Sequence, residues 1–285
     1  MDRGVAALVL LASACALALP LFFVADAPKP EHRDVRATIL NQAAPSRFEI
    51  AGNAPALSPQ CRVESAPFDG RAPLRTVRRA LLEKRPARVV SFGTSSVLSA
   101  DASSPIATYS SELGRDLEEN GLDVEMIART QAGAVADDAA ERLKAELAAL
   151  RPDLLVWQVG TNDAVARIDA EDFADDLRET LTWLAAHKID VVLVDPQYVA
   201  RLSDDEGYTG IVDRVAAVAS EKRVLRVNRY DAMADLARAH PSWSRFTGDR
   251  FRLADMGDRC AAEYTAGAIV AGLHAAATAE ERETP

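Results

Sequence analysis

The chain has 285 residues, 48% of them hydrophobic and 27% charged, which is enough apolar material for one sizeable core or two small ones. Its formal net charge is -10, with Lys and Arg interspersed among Asp and Glu. That excludes a nucleic-acid partner, because phosphate binding needs a basic stripe.

The first segment, residues 1–27, has Arg3 before an uncharged run from Val5 to Ala25, and reads as an export signal. Ala25-Asp26-Ala27 offers a small-x-small cleavage pattern, which favours a cleaved signal peptide. The run of roughly 20 residues is also long enough to stay as a membrane anchor. Cys15 after "LASA" makes a weak lipoprotein box, since apolar sequence continues beyond it. The expected location is periplasmic or otherwise extracytoplasmic, with membrane association through residues 5–25 if the segment is retained. Residues 28–85 carry scattered prolines and read as a linker and irregular arm, with a single helical stretch at 74–84. Beyond the leader only Cys61 and Cys260 remain, an even count in a chain sent to an oxidising compartment. A disulfide between them is expected; the alternative is two unrelated buried cysteines.

From residue 86 to 278 short β-rich runs alternate with amphipathic helices. The strands are read at "RVVSF", "DVEMIA", "DLLVWQV", "DVVLVDP" and "RVLRVN". Helices are expected at 107–121, 137–150, 170–188 and 208–223, with a last one from Met256 to Ala277 and a polar tail at 279–285. Nearly all-apolar strands alternating with helices imply an α/β three-layer sandwich with a central parallel sheet. Ligand sites in such sheets lie at the carboxyl ends of the strands, near the switch in strand order.

Three segments that follow strands carry suggestive chemistry. Gly93-Thr94-Ser95-Ser96 follows the first strand, "ARTQAGA" with Gly133 the second, and Gly160-Thr161-Asn162-Asp163 the third. A serine at a strand-to-loop turn can expose its hydroxyl, and a backbone N–H plus an Asn amide can stabilise a developing oxyanion. Each block alone also suits an ordinary turn or helix cap.

In that joint order the blocks resemble the SGNH (GDSL-type) hydrolases. The resemblance implies a flavodoxin-like sheet over about residues 88–278, with Ser95 as nucleophile, Gly133 as oxyanion glycine and Asn162 as oxyanion asparagine. Thr94 replaces the family's usual Asp, and Ala128 stands where an Asn usually opens the second block. The Pro73-Leu74 pair and "DPQYVARL" are similar to envelope-associated members. The family's closing Asp-x-x-His block falls on Asp249 and Arg252; a second register, from Asp255, puts Asp258 on the histidine. Neither register supplies an imidazole. Arginine stays protonated and cannot take the serine proton.

Of the four histidines, His32 lies in the arm, His187 at a helix end and His274 near the end of the closing helix. His240, a helix-end residue before Pro241, is the one substitute base within reach of a loop movement, and its bland reading is favoured.

The leading expectation is an exported hydrolase whose ancestral chemistry is serine ester hydrolysis of small esters or O-acylated glycans, with a degenerate triad. In it Asp249 orients whichever base serves. No metal or cofactor is implied. The rival is a non-catalytic envelope protein that keeps the pocket, with Arg252 paired to Asp249 or gripping an anionic group. A third reading, a nucleotide-binding flavodoxin-like domain, rests only on the hydroxyl-rich "GTSS" turn.

Overall fold

The computed structural model describes residues 56–69, 72–93, 109–130, 136–240 and 255–283, all within one unit, Arg47–Pro285. The N-terminal apolar run, Ser95, Gly133, Asp249 and Arg252 lie outside these residues. Among the described residues no helix is long and apolar enough to cross a membrane.

The described strands are β1 (Phe68–Asp69), β2 (Ala87–Gly93), β3 (Val124–Thr130), β4 (Leu154–Gln158), β5 (Asp190–Val194) and β6 (Leu225–Val227). They form one sheet in the order β1-β6-β5-β4-β2-β3. Five run parallel, and β1 pairs antiparallel with β6 at the edge. The order reverses between β2 and β4, which is the flavodoxin-like arrangement and its switch point.

Side chains alternate across the sheet with a period of two. Val89, Val156, Val194 and Val227 face one layer, formed by α1 (Arg75–Leu82), α2 (Tyr109–Glu119) and α8 (Asp255–Glu283). Val90, Leu155, Trp157 and Leu193 face the other, formed by α3 (Ala136–Leu150), α5 (Ala170–Ala186) and α6 (Glu206–Lys222). Because both faces are covered, the strands carry almost unbroken apolar sequence. Two short helices, α4 (Thr161–Ala166) and α7 (Arg229–Ala239), follow β4 and β6.

The helix boundaries have local causes. Asp169 caps α5 by accepting from the amides of Glu171 (2.8 Å) and Asp172 (3.3 Å). Asp205 caps α6 through the Tyr208 amide at 2.9 Å, starting that helix before the tyrosine expected to open it. Arg223 ends it with φ 54°, so β6 is shorter than its sequence run. At the other end of the chain α8 continues past Ala277, and its last turn is tied to α1 by Arg78–Glu280 and Arg75–Glu283.

The described part of the arm is ordered against the domain. Cys61 and Cys260 form a disulfide, both sulfurs buried, and the Tyr264 hydroxyl donates to the Cys61 carbonyl at 2.7 Å. Leu74 lies against Gly272 of α8: its amide donates to the glycine carbonyl at 3.1 Å. A Cβ at Gly272 would meet Leu74 Cγ and Leu225 Cδ1 at 2.7 Å, so glycine sets how closely arm and helix approach.

Candidate functional site at the carboxyl edge of the sheet

The three strand ends expected to carry the chemistry leave the same edge of the sheet. β2 and β3 are in register to their ends, with Gly93 opposite Thr130, and β4 lies on the other side of β2, with Trp157 opposite Phe92. The chain therefore enters the segments bearing Ser95, Gly133 and Asn162 from neighbouring parallel strands at the switch point. β3 runs to Thr130, beyond the expected end at Ala128, because Phe92 and Gly93 extend its pairing partner.

After Gln158 the chain turns through Gly160, whose φ of +89° lies in the left-handed region. A Cβ there would meet Ile211 Cγ2 at 2.9 Å and Pro196 Cγ at 3.0 Å, so glycine is required on both conformational and steric grounds. This turn opens α4 and places the half-buried Asn162 in its first turn. Neighbouring Thr161 is buried, and its hydroxyl accepts from the Gln197 amide at 3.3 Å. The Tyr208 hydroxyl donates to the Gln197 carbonyl, which joins α6 to the same turn.

Beneath this edge lies a polar cluster that sequence reasoning missed. Asp195, directly after β5, receives two hydrogen bonds of 2.7 Å from Arg226 of β6, and both side chains are buried. Arg229, at the start of α7, is also buried; its Nε donates to the Asp195 carbonyl at 2.8 Å and its Nη1 to Gln158 Oε1 at 3.2 Å. Burial pulls the Arg229 guanidinium down from its ordinary value, opposed by Tyr208, Tyr109, Asp258 and Asp195. Burial pushes the Tyr208 and Tyr109 hydroxyls up, so both stay neutral donors at any physiological pH. The available signal was position: Asp195 directly follows β5, and Arg229 follows β6 by two residues.

The described histidines are elsewhere. His187 caps the end of α5, stacked on Trp183, three residues before β5 begins and so at the opposite, amino edge. His274 stands two residues after Gly272, which meets Leu74 near the α1 amides that bind Asp190 at the start of β5, again the amino edge. His240 is the residue that ends α7, about 16 Å along the helix from Arg229 by helical rise, in agreement with the helix-end reading. Asp258 is in the first turns of α8 and buried, so the second register of the closing block falls inside a helix. Among the described residues no His, Cys, Asp and Glu group could hold a metal ion.

The sequence matches, over residues 60–275, the model of a family described as non-GDSL lipase-like. No curated protein matches it. Among solved structures it is similar to a protein described as a GDSL-like lipase from Parabacteroides merdae, with 16% identity and a TM-score of 0.57, covering 65% of this chain and 96% of that one. It is also similar to an acetylxylan esterase from Geobacillus stearothermophilus, with 17% identity and a TM-score of 0.55 over 63% and 92% of the two chains. A further acetyl xylan esterase is 21% identical, with a TM-score of 0.54 over 62% and 97%. At these identities the likeness is one of fold, and that fold is the SGNH hydrolase sandwich.

Proposed function

The chain belongs to the non-GDSL lipase-like family, and from that premise we propose that it is a serine hydrolase of ester bonds, acting slowly because its triad lacks a histidine. In this reading the Ser95 hydroxyl attacks the acyl carbon, the alcohol leaves, and water then releases the acid from the acyl-enzyme. The oxyanion is held by the Gly133 and Ser95 amides and the Asn162 side chain. The observation that carries the reading is the adjacency of β2 and β4 at the switch point, which sends the Ser95 segment and the Gly160–Asn162 turn off one edge.

Asp249 and Arg252 occupy the segment that immediately precedes α8, where the family's Asp-x-x-His block is expected. The helical setting of Asp258 favours this register over the one starting at Asp255. Arginine cannot serve as a base, and loss of general-base assistance lowers the rate by about 10² to 10⁴. The two acetylxylan esterases among the similar folds support an O-acylated carbohydrate or small ester as substrate. Export of the protein rests on the run from Val5 to Ala25 and is supported by the Cys61–Cys260 disulfide.

The test is turnover of short-chain aryl esters by wild type, Ser95→Ala, Arg252→His and the double variant. Arg252→His is expected to raise kcat at least tenfold over wild type, and the gain should vanish when Ser95→Ala is added. A wild-type rate near 10 s⁻¹, ordinary for an enzyme, would contradict the degenerate triad. Turnover unaffected by Ser95→Ala would contradict the nucleophile.

A further inference from the structure

Among the described residues Arg229 is one of the largest side chains shut from solvent, and it is a cation. Desolvating a guanidinium is costly, and the cost is offset only where its hydrogen bonds and charge partners are well placed. Packing alone therefore gives little reason for arginine here.

What the side chain touches gives a better one. Its two hydrogen bonds reach the ends of two adjacent strands, Gln158 of β4 and the Asp195 carbonyl after β5. Two residues beyond Gln158 lies the Gly160 turn that carries Asn162. The Asp195 carboxylate itself is engaged by Arg226, so Arg229 meets that residue through its backbone oxygen.

We propose that Arg229 is a positioning residue that ties the end of β4, and with it the Gly160–Asn162 turn, to the chain leaving β5. The proposal rests on the reading of Asn162 as an oxyanion donor. A guanidinium suits the task because its planar fork donates in several fixed directions at once, which an ammonium does not.

The full chain is compared with Arg229→Met, which removes the charge at similar volume, and Arg229→Lys, which keeps the charge and loses the fork. Thermal melting, hydrogen exchange read peptide by peptide, and aryl-ester kinetics are measured on each. The Met variant is expected to fold and to melt somewhat below wild type, because two buried acceptors lose the guanidinium. Its amides at 158–164 should exchange at least tenfold faster, with those of α5 unchanged. kcat should fall tenfold or more with KM within twofold, and Lys should restore only part of either readout. If Arg229→Met does not fold, Arg229→Lys is judged on the same peptides. Unchanged exchange at 158–164, or an increase that is uniform through α5, would overturn the proposal. Absence of any Ser95-dependent turnover in wild type would sink the esterase reading instead, and the exchange data would still decide the role of Arg229.

Discussion

At the scale of single residues, the domain repeatedly uses a polar group to hold backbone that the strands leave behind. Thr161, Gln197 and Tyr208 join the turn before Asn162 to α6. At the amino edge Asp190 of β5 accepts from the Thr76 amide at 2.8 Å and the Val77 amide at 3.0 Å, and so holds the first turn of α1. Burial pushes this carboxyl up to about 6, against the opposing hydrogen bonds of Val77 and Thr76. The folded chain thus holds this proton more tightly than the unfolded chain does. Its contribution to stability is full below about pH 4 and is lost as pH rises to about 6, with a slope of at most about 1.4 kcal/mol per pH unit. Asp190→Asn keeps an acceptor for α1 and removes the titration. Urea denaturation from pH 4 to 7 is expected to show a flatter profile for this variant than for wild type; identical slopes would remove Asp190 from the account.

At the scale of elements, α8 organises one face of the sheet and receives the arm at three places along its length. The disulfide joins it near its start, Leu74 meets Gly272 further on, and Arg75 and Arg78 bind its last turns. The Cys61–Cys260 bridge spans 199 residues, for which the chain-entropy model gives on the order of 5 kcal/mol. Replacing both cysteines with alanine is expected to cost about 2–5 kcal/mol in urea denaturation. Because both sulfurs are buried, alkylation of the native protein under reducing conditions should be slow and should speed up in denaturant. A double variant as stable as wild type would mean that packing around Tyr264 and Gly272 suffices without the bond.

At the scale of the whole molecule, part of what reads as linker is built into the domain. β1 completes the edge of the sheet on β6, and Asp69 adds a 2.9 Å ion pair to the Arg226 guanidinium that also binds Asp195. The compact unit begins at Arg47. A chain starting at Arg47 is expected to melt within about 3 °C of the full chain, whereas one starting at Ala72 loses Cys61 and β1 and should melt roughly 10 °C or more lower. Scanning calorimetry of the two truncations checks this, and equal melting temperatures would show that the arm contributes no stability.

The sequence by itself determined the layered sheet and the blocks that follow its strands. Runs such as Ala87–Phe92 and Leu154–Gln158 are apolar on both sides because both faces are covered, and Gly160 marks a turn that only glycine accommodates. Periodicity and turn chemistry are local properties, so they can be read along the chain. Tertiary structure alone decided the rest. β1 is two residues long and exists as a strand only through its pairing with β6. Of α7 only the end at His240 was legible, because Arg229 and Asp235 sit on its buried face, where periodicity expects apolar residues. Their burial follows from partners distant in sequence: Gln158 and the Asp195 carbonyl for Arg229, and the Ser65 amide for Asp235. A buried polar residue is intelligible only with its partner, and the partner's place is a property of the fold.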